Sequence, residues 1–435
     1  MRLFQKLSEL EKKGAPIRVG LVGAGQMGKY MVAVMKQMQG IQLVAVADKV
    51  LDHAKSALQA SGYTGVEINS SQDASMDRLQ AGEVYITPAA ALIPKLDFVD
   101  VVIEATGVPE VGAQVSFMSI LARKHVVMLS YETVVTVGHI LSHLAKAAGV
   151  VFTGAAGDEP AAILELYDFA RAMGFEVVAA GKGKNNPLDR SATPDSVAED
   201  AAEVGTSARM HCSFVDGSKT MVEMAAVANA TGLVPDVRGM HGPVTEVKNL
   251  PKVFSLVSQG GVLQQKGVVD YARGEIAPGV FVIITTDNPL IREDLWFERM
   301  GDGPNYLLFR PYHLCDMETP LSAVLAQVYG EPTLIPLGQP VAEVFTVAKR
   351  DLKAGEVLDG FGGYTMYGEI DRASVVREQR LLPGGLAKGC QLLVDVPKGC
   401  PITYDMVSLP RDSFVVHLRA MQDQLVAESF FKSDC

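Results

Sequence analysis

The chain has 435 residues, a formal net charge of −11, 48% hydrophobic residues and 20% charged residues. That balance belongs to a globular protein, excludes a disordered or collagen-like chain, and at roughly 100–200 residues per domain gives about two to four domains. The acidic excess argues against a phosphate-backbone binder, so nucleic acid is not expected as a partner.

The first segment, MRLFQKLSELEKKGAPIRVG, places Leu3, Leu7 and Leu10 at helical spacing but carries charges throughout, unlike the core of a signal peptide. No stretch reaches the roughly 18 apolar residues of a membrane span. Cys212, Cys315, Cys390, Cys400 and Cys435 form no C-x-x-C pair and are odd in number, so neither a zinc site nor a disulfide framework is expected. These features predict a cytoplasmic protein without a membrane partner.

Ile17 to Val22 reads as a short buried strand, followed by Gly23-Ala24-Gly25-Gln26-Met27-Gly28 and then by an unbroken run that suits a helix up to Gly40. A second strand, Gln42 to Ala47, ends in Asp48, about 20 residues past Gly28. G-x-G-x-x-G alone is weak evidence, but strand, turn, helix and acidic residue together form the dinucleotide fingerprint. Gly23 permits the tight turn, Gly25 lets the backbone approach a pyrophosphate, and Gly28 lets the helix pack on the strand. Asp48 favours NAD over NADP by competing with a 2′-phosphate, while the adjacent Lys49 offsets that, so either cofactor is open. Leu96 to Glu104 leads into Thr106-Gly107, a small-residue strand end past which a nicotinamide ribose would run. Helix and strand alternate on to Thr153, giving a Rossmann-type domain over about 15–155.

From Gly157 the pattern changes. GDEPAAILELYDFARAMG reads as a turn and a helix from Pro160 to Gly174, and a strand from Phe175 to Ala180 empties into Gly181-Lys182-Gly183-Lys184, a flexible exit whose two lysines suit an anionic substrate. Asp216-Gly217 opens a helix reaching Gly232, with Lys219 and Glu223 four apart on one face of an otherwise small, apolar stretch. Lys266 sits in an apolar surround, and Arg310 and His313 follow a strand-like run, the first suited to phosphate or carboxylate and the second to acid–base work. Farther on, Ala348 to Asp359 and Leu392 to Val407 share one cadence, which predicts a small β-rich domain over about 341–410. Residues 413–431 read as a terminal amphipathic helix.

The blocks IRVGLVGAGQMG, VVIEATGVPEVG, GDEPA, VVAAGKGK, FVDGSKTMVEMAAVANATGL, GGVLQQKG, FRPYHL and AKRDLKAGEVLDGFGGYT resemble the reductoisomerase-like branch of the homoserine-dehydrogenase-like oxidoreductases. The likeness runs from about residue 15 to 410; the dinucleotide motif is generic, the central blocks family-specific. It implies an α/β protein with a doubly wound Rossmann sheet (1–155), an α+β catalytic domain (156–340), a small β-rich SAF-like domain (341–410) and a C-terminal helix (411–435). The implied activity is NAD(P)-dependent and resembles that of 1-deoxy-D-xylulose 5-phosphate reductoisomerase, which rearranges and reduces a ketose phosphate to 2-C-methyl-D-erythritol 4-phosphate. The segment Asn185 to Arg190 departs from the reductoisomerase pattern, which leaves the substrate open.

Under that resemblance Gly23, Ala24, Gly25, Gln26, Met27, Gly28, Asp48 and Lys49 hold NADP or NAD, with Thr106 and Gly107 near its ring-side ribose. Lys182, Lys184 and Lys219 stabilise charge on substrate oxygens, and Asp158, Glu159, Asp216 and Glu223 are candidates for proton transfer or for a magnesium or manganese ion, although no spacing defines a metal site. Arg310 and His313 grip an anionic tail, and Lys266 and Asn229 complete the substrate contacts. The partners implied are a small anionic molecule and further copies of the chain, as a dimer or tetramer. A simple dehydrogenase of a homoserine-like, polyol or sugar-acid substrate, and a dinucleotide-binding sensor, are the alternatives.

Overall fold

The computed structural model describes residues 2–80 and 82–431, so Cys435 and the end of the 411–435 segment lie outside the described residues. Two compact units emerge. The first runs through Asp158 and is completed by Leu314–Ile335 and Ser413–Glu428; the second comprises Glu159–His313 and Pro336–Asp412.

In the first unit, strands β1 (Ile17–Val22), β2 (Ile41–Ala47), β3 (Thr64–Glu67), β4 (Glu83–Thr87), β5 (Val101–Glu104), β6 (His125–Met128) and β7 (Phe152–Gly154) form a parallel sheet in the order β3-β4-β2-β1-β5-β6-β7. The central strands are continuous apolar runs, as covering on both faces requires: Val19, Leu21, Val101, Val102, Ile103, Val126 and Val127 have no exposed surface. From β1 the chain turns first to β2 on one side and later to β5 on the other. That reversal places a ligand crevice beyond the carboxyl ends of β1 and β5. The helix Gln26–Gln37 joins β1 to β2, and Ala323 and Val324 of the later helix Cys315–Val324 share its apolar core.

The predicted terminal helix forms over Phe414–Ala427. Its first turn is held by Glu110, whose carboxylate accepts from the Ser413 hydroxyl at 2.8 Å, the Phe414 amide at 2.8 Å and the Val415 amide at 3.0 Å. Burial opposes the Glu110 charge, yet these donors hold its carboxyl below the ordinary glutamate range.

The second unit carries a mixed sheet of β8 (Glu176–Lys184), β9 (Val234–Pro235), β10 (Val268–Arg273), β11 (Val280–Thr285) and β12 (Asn305–Arg310), in the order β12-β11-β8-β10-β9. Helices Glu159–Ala172 and Ser218–Thr231 pack on each other and on this sheet. The antiparallel pair β13 (Ala342–Ala348) and β14 (Met366–Arg372) lies against the second of these helices, and β15 (Gln391–Leu392) pairs with β16 (Val407–Ser408).

The echo seen in the sequence is a structural duplication. Leu352 and Val396 exchange both backbone hydrogen bonds at 2.9 Å. Asp351 accepts from the Lys398 amide at 2.8 Å, and Asp395 accepts from the equivalent Ala354 amide at 2.9 Å. Each copy therefore caps the turn of the other.

Candidate active site

The glycine turn after β1 is built for close approach. Gly23 has a φ of 101°, and a Cβ there would lie 2.8 Å from the Ala105 carbonyl oxygen; a Cβ on Gly28 would lie 2.1 Å from the Gly23 oxygen. Both positions exclude any side chain. Gly25 is exposed and a Cβ on it would meet nothing within 4 Å, so the space beside it is open. Ala24 is buried, while Gln26 and Met27 begin the helix whose first-turn amides and positive dipole end suit an anion.

Asp48 accepts from the Ala24 amide at 2.7 Å and the Val50 amide at 2.8 Å, with His53 Nδ1 at 3.5 Å. A carboxylate has further lone pairs, so ribose hydroxyls still have acceptors here. Lys49 is exposed beside it. Across the turn, the buried Glu104 carboxylate accepts from the Thr106 amide at 2.9 Å and from the Thr106 hydroxyl, while Ser130 accepts from the Gly107 amide at 2.7 Å. Burial raises the Glu104 pKa against the lowering bonds from Ser130 and Thr106, and the charge of Glu132 raises it further. Glu104 and Ser130 were not singled out from the sequence; an acid closing a Val-Val-Ile strand was the available signal. Open space at Gly25, excluded side chains at Gly23 and Gly28, and a braced Asp48 fit a dinucleotide.

In the second unit β8 does not stop at Ala180 but runs to Lys184, so Lys182 and Lys184 stand on a strand and not on a flexible exit. The reason is pairing on both sides: Gly181 and Lys182 lie opposite Asp270 and Tyr271 of β10 and opposite Phe281 and Val280 of β11. The glycines serve close packing, because a Cβ on Gly181 would lie 2.1 Å from the Asp270 oxygen and one on Gly183 would lie 2.3 Å from the Ala277 nitrogen.

Alternation along β8 points Lys182 and Lys184 to one face. Lys182 is 6% exposed, and its ammonium sits between Glu159, at 2.5 Å, and Glu223, on the adjoining helices. Burial works against its charge, but the two carboxylates outweigh that and hold it protonated more firmly than free lysine. Glu223 moves upward because it is buried and faces Glu159, with Lys182 and Lys219 opposing the rise. His313 joins through Nε2, 3.5 Å from Glu159, while its Nδ1 lies 2.8 Å from the Pro278 carbonyl. Lys184 donates to the Phe214 carbonyl at 2.7 Å, and its pKa is pushed down to about 8 by burial and by the charge of Lys182. Lys219 is half-buried one turn before Glu223.

Arg310 shares the register level of Lys182, each lying opposite Val280 of β11. Arg310 ends β12, pairs with Glu165 at 3.0 Å and stacks over Tyr312. Lys266 is not in an apolar surround: it pairs with Glu176 at 2.6 Å, at the start of β8, roughly 20 Å of strand from Lys182. Asn229 is buried with its amide taken up by Val341 and Ala342. Asp216 is fully buried, bonded to Lys349 at 2.8 Å and to the Ser218 amide at 2.8 Å. Asp158 is buried at the end of the first unit.

Glu159 and Glu223 offer hard oxygens, but the Lys182 ammonium already lies between them. A divalent ion bound to both would have to displace that cation, so the pair as arranged does not fit a resident metal.

Residues 157–319 match the family model described as Oxidoreductase DRL, catalytic domain. No curated protein matches the chain. Among solved structures, a probable dehydrogenase from Thermotoga maritima is similar at 14% identity and a TM-score of 0.42, covering 73% of this chain and 90% of that one. Scyllo-inositol dehydrogenase from Lactobacillus casei is similar at 14% identity and a TM-score of 0.39, covering 68% of this chain and 76% of that one. The catalytic-domain match, downstream of a complete dinucleotide cradle, makes this chain an NAD(P)-dependent oxidoreductase.

Proposed function

We propose that the chain transfers hydride between NADP or NAD and the carbonyl carbon of a small, anionic, sugar-derived substrate, with Lys182 as proton donor and Glu223 as its relay. The observation that carries this reading is the Lys182 ammonium buried between two carboxylates. The dinucleotide supplies or accepts the hydride when bound. As hydride reaches a carbonyl carbon, negative charge gathers on oxygen, and a desolvated ammonium both stabilises that charge and passes a proton to it. Glu223, whose raised proton affinity lets its carboxylate take up a proton from solvent more readily than an ordinary glutamate, then passes that proton to the neutral amine left on Lys182. In the oxidative direction the steps run backwards, and Lys182 receives the hydroxyl proton. Lys184, Arg310 and His313 are read as binding the anionic part of the substrate.

Within this reading a reductoisomerase is the finer form, supported by the resemblance of the central blocks. A rearrangement of a ketose phosphate removes a proton from one hydroxyl and delivers one to a neighbouring oxygen, and the Lys182–Glu223 pair serves both steps. The test is oxidation of NADPH and NADH with 1-deoxy-D-xylulose 5-phosphate, with the product's carbon connectivity read by NMR. A rearranged, reduced product is expected for the reductoisomerase. A reduced product of unchanged connectivity, or turnover only with polyols and sugar acids, assigns a simple dehydrogenase. Dinucleotide binding without turnover of any of them would overturn the proposal.

The lysine next to the centre gives a pH signature. Because the Lys184 pKa is lowered to about 8, its positive charge is present below that value and lost above it. KM for an anionic substrate is expected to rise as pH climbs through about 8 while kcat holds, and Lys184→Arg, which stays charged, is expected to flatten the rise.

A further inference from the structure

We propose that Lys349 is a positioning residue that fixes the helix bearing Glu223 by clamping its amino end to the β13–β14 pair. This inference rests on the reading of Lys182 and Glu223 given above.

The helix Ser218–Thr231 is tied to this C-terminal strand pair at both ends. At its start the N-cap is Gly217, which has no side chain to cap with. Asp216 substitutes: one carboxylate oxygen accepts from the Ser218 amide at 2.8 Å and the other from Lys349 Nζ at 2.8 Å. Lys349, one residue past β13, is 3% exposed, and its ammonium also donates to the Gly363 carbonyl at 2.8 Å. The hydroxyl of Ser218 accepts from the Gly368 amide of β14 at 2.8 Å. At the far end Asn229 accepts from the Val341 amide at 2.9 Å and the Ala342 amide at 3.2 Å, and donates to the Ala342 carbonyl at 3.1 Å.

Glu223 lies between these anchors, and its carboxylate must meet the Lys182 ammonium. A fully buried aspartate needs a counter-charge, and Lys349 is the cation bonded to Asp216. The lysine therefore does two things at once: it neutralises the acid that caps the helix, and it ties that cap to the backbone of the Gly363 turn. Ala225, Ala226 and Ala228 keep the helix slim where it packs. Displacing its first turn would move Glu223 relative to Lys182 with no change in either residue.

The double variant Lys349→Met/Asp216→Asn tests this, because it removes both charges together and leaves an amide oxygen to cap Ser218. Lys349→Met alone would strand a buried carboxylate and is the variant expected to fold poorly. In the double variant, amide exchange over residues 218–224 is expected to rise about 10-fold with residues 159–172 unchanged. Acetic anhydride, read by mass spectrometry, is expected to label Lys182, which the wild type shields. Where turnover is measurable, kcat is expected to fall about 10- to 100-fold with dinucleotide affinity unchanged. Wild-type exchange and labelling would overturn the proposal, as would faster exchange accompanied by wild-type kcat. A wild type without turnover fails the reading above, while exchange and labelling still decide whether Lys349 holds Glu223 against Lys182.

Discussion

Replacing Lys182 by arginine is expected to leave the fold intact and to lower kcat about 10²- to 10⁴-fold, the range general acid–base groups contribute. The guanidinium keeps positive charge between Glu159 and Glu223 but does not release a proton at any working pH. Dinucleotide affinity is expected to stay at the wild-type value, since the glycine turn and Asp48 are untouched. Lys182→Met is expected to be worse in a different way. It leaves Glu159 and the buried Glu223 facing each other without the ammonium between them, and breaking such a buried pair costs about 3–5 kcal/mol. Steady-state kinetics and calorimetry together separate the two variants. An arginine variant with the kcat of the wild type would remove Lys182 from the chemistry.

The sign of the linkage supports the same comparison. Because the Lys182 pKa is raised on folding, the stabilisation from its pairing is complete below the ordinary lysine value and is lost as pH rises through the higher folded value. Across the neutral range the stability of the wild type is therefore expected to vary little on account of Lys182.

Much of the first unit was legible because its signals are local. Ile17–Val22, the three glycines and the acid at the end of β2 each follow from short-range physics: an apolar run, a turn that excludes side chains, and a spacing. Glu159 and Glu223 could be suspected as acids on helices, but their convergence on one ammonium could not be read, because the two helices are separated by the whole of β8 and two further helices. The misreading at Gly181-Lys182-Gly183-Lys184 has a physical cause as well. Glycine in a sequence signals flexibility and close packing alike, and only the neighbours, Asp270 on one side and Ala277 near the other, decide between them. Lys266 and Asn229 are polar groups in apolar stretches, and no local signal told that the fold pairs the first with Glu176 at the start of β8 and bonds the second to Val341 and Ala342. Lys349 carried no signal beyond an echo of sequence, since its partner Asp216 lies 133 residues away.

The dinucleotide cradle yields a contrast that separates binding from folding. Gly25 adopts φ −67° and ψ −155°, angles open to alanine, and a Cβ there meets no protein atom within 4 Å. Gly25→Ala is therefore expected to change stability by less than about 0.5 kcal/mol. The same methyl would stand in the space where a pyrophosphate approaches the backbone, so the Kd for NADP or NAD is expected to rise about 10- to 100-fold, or about 1.4–2.8 kcal/mol. Gly28→Ala reverses the order. Its Cβ would fall 2.1 Å from the Gly23 carbonyl oxygen, so the helix must shift away from β1, and overpacking of that kind costs about 1–3 kcal/mol before any ligand is added. Calorimetric Tm and fluorescence titration with each reduced dinucleotide measure both quantities on the same samples. A Gly25→Ala protein that binds both dinucleotides as tightly as the wild type would mean that the open space beside Gly25 is not where the phosphates lie.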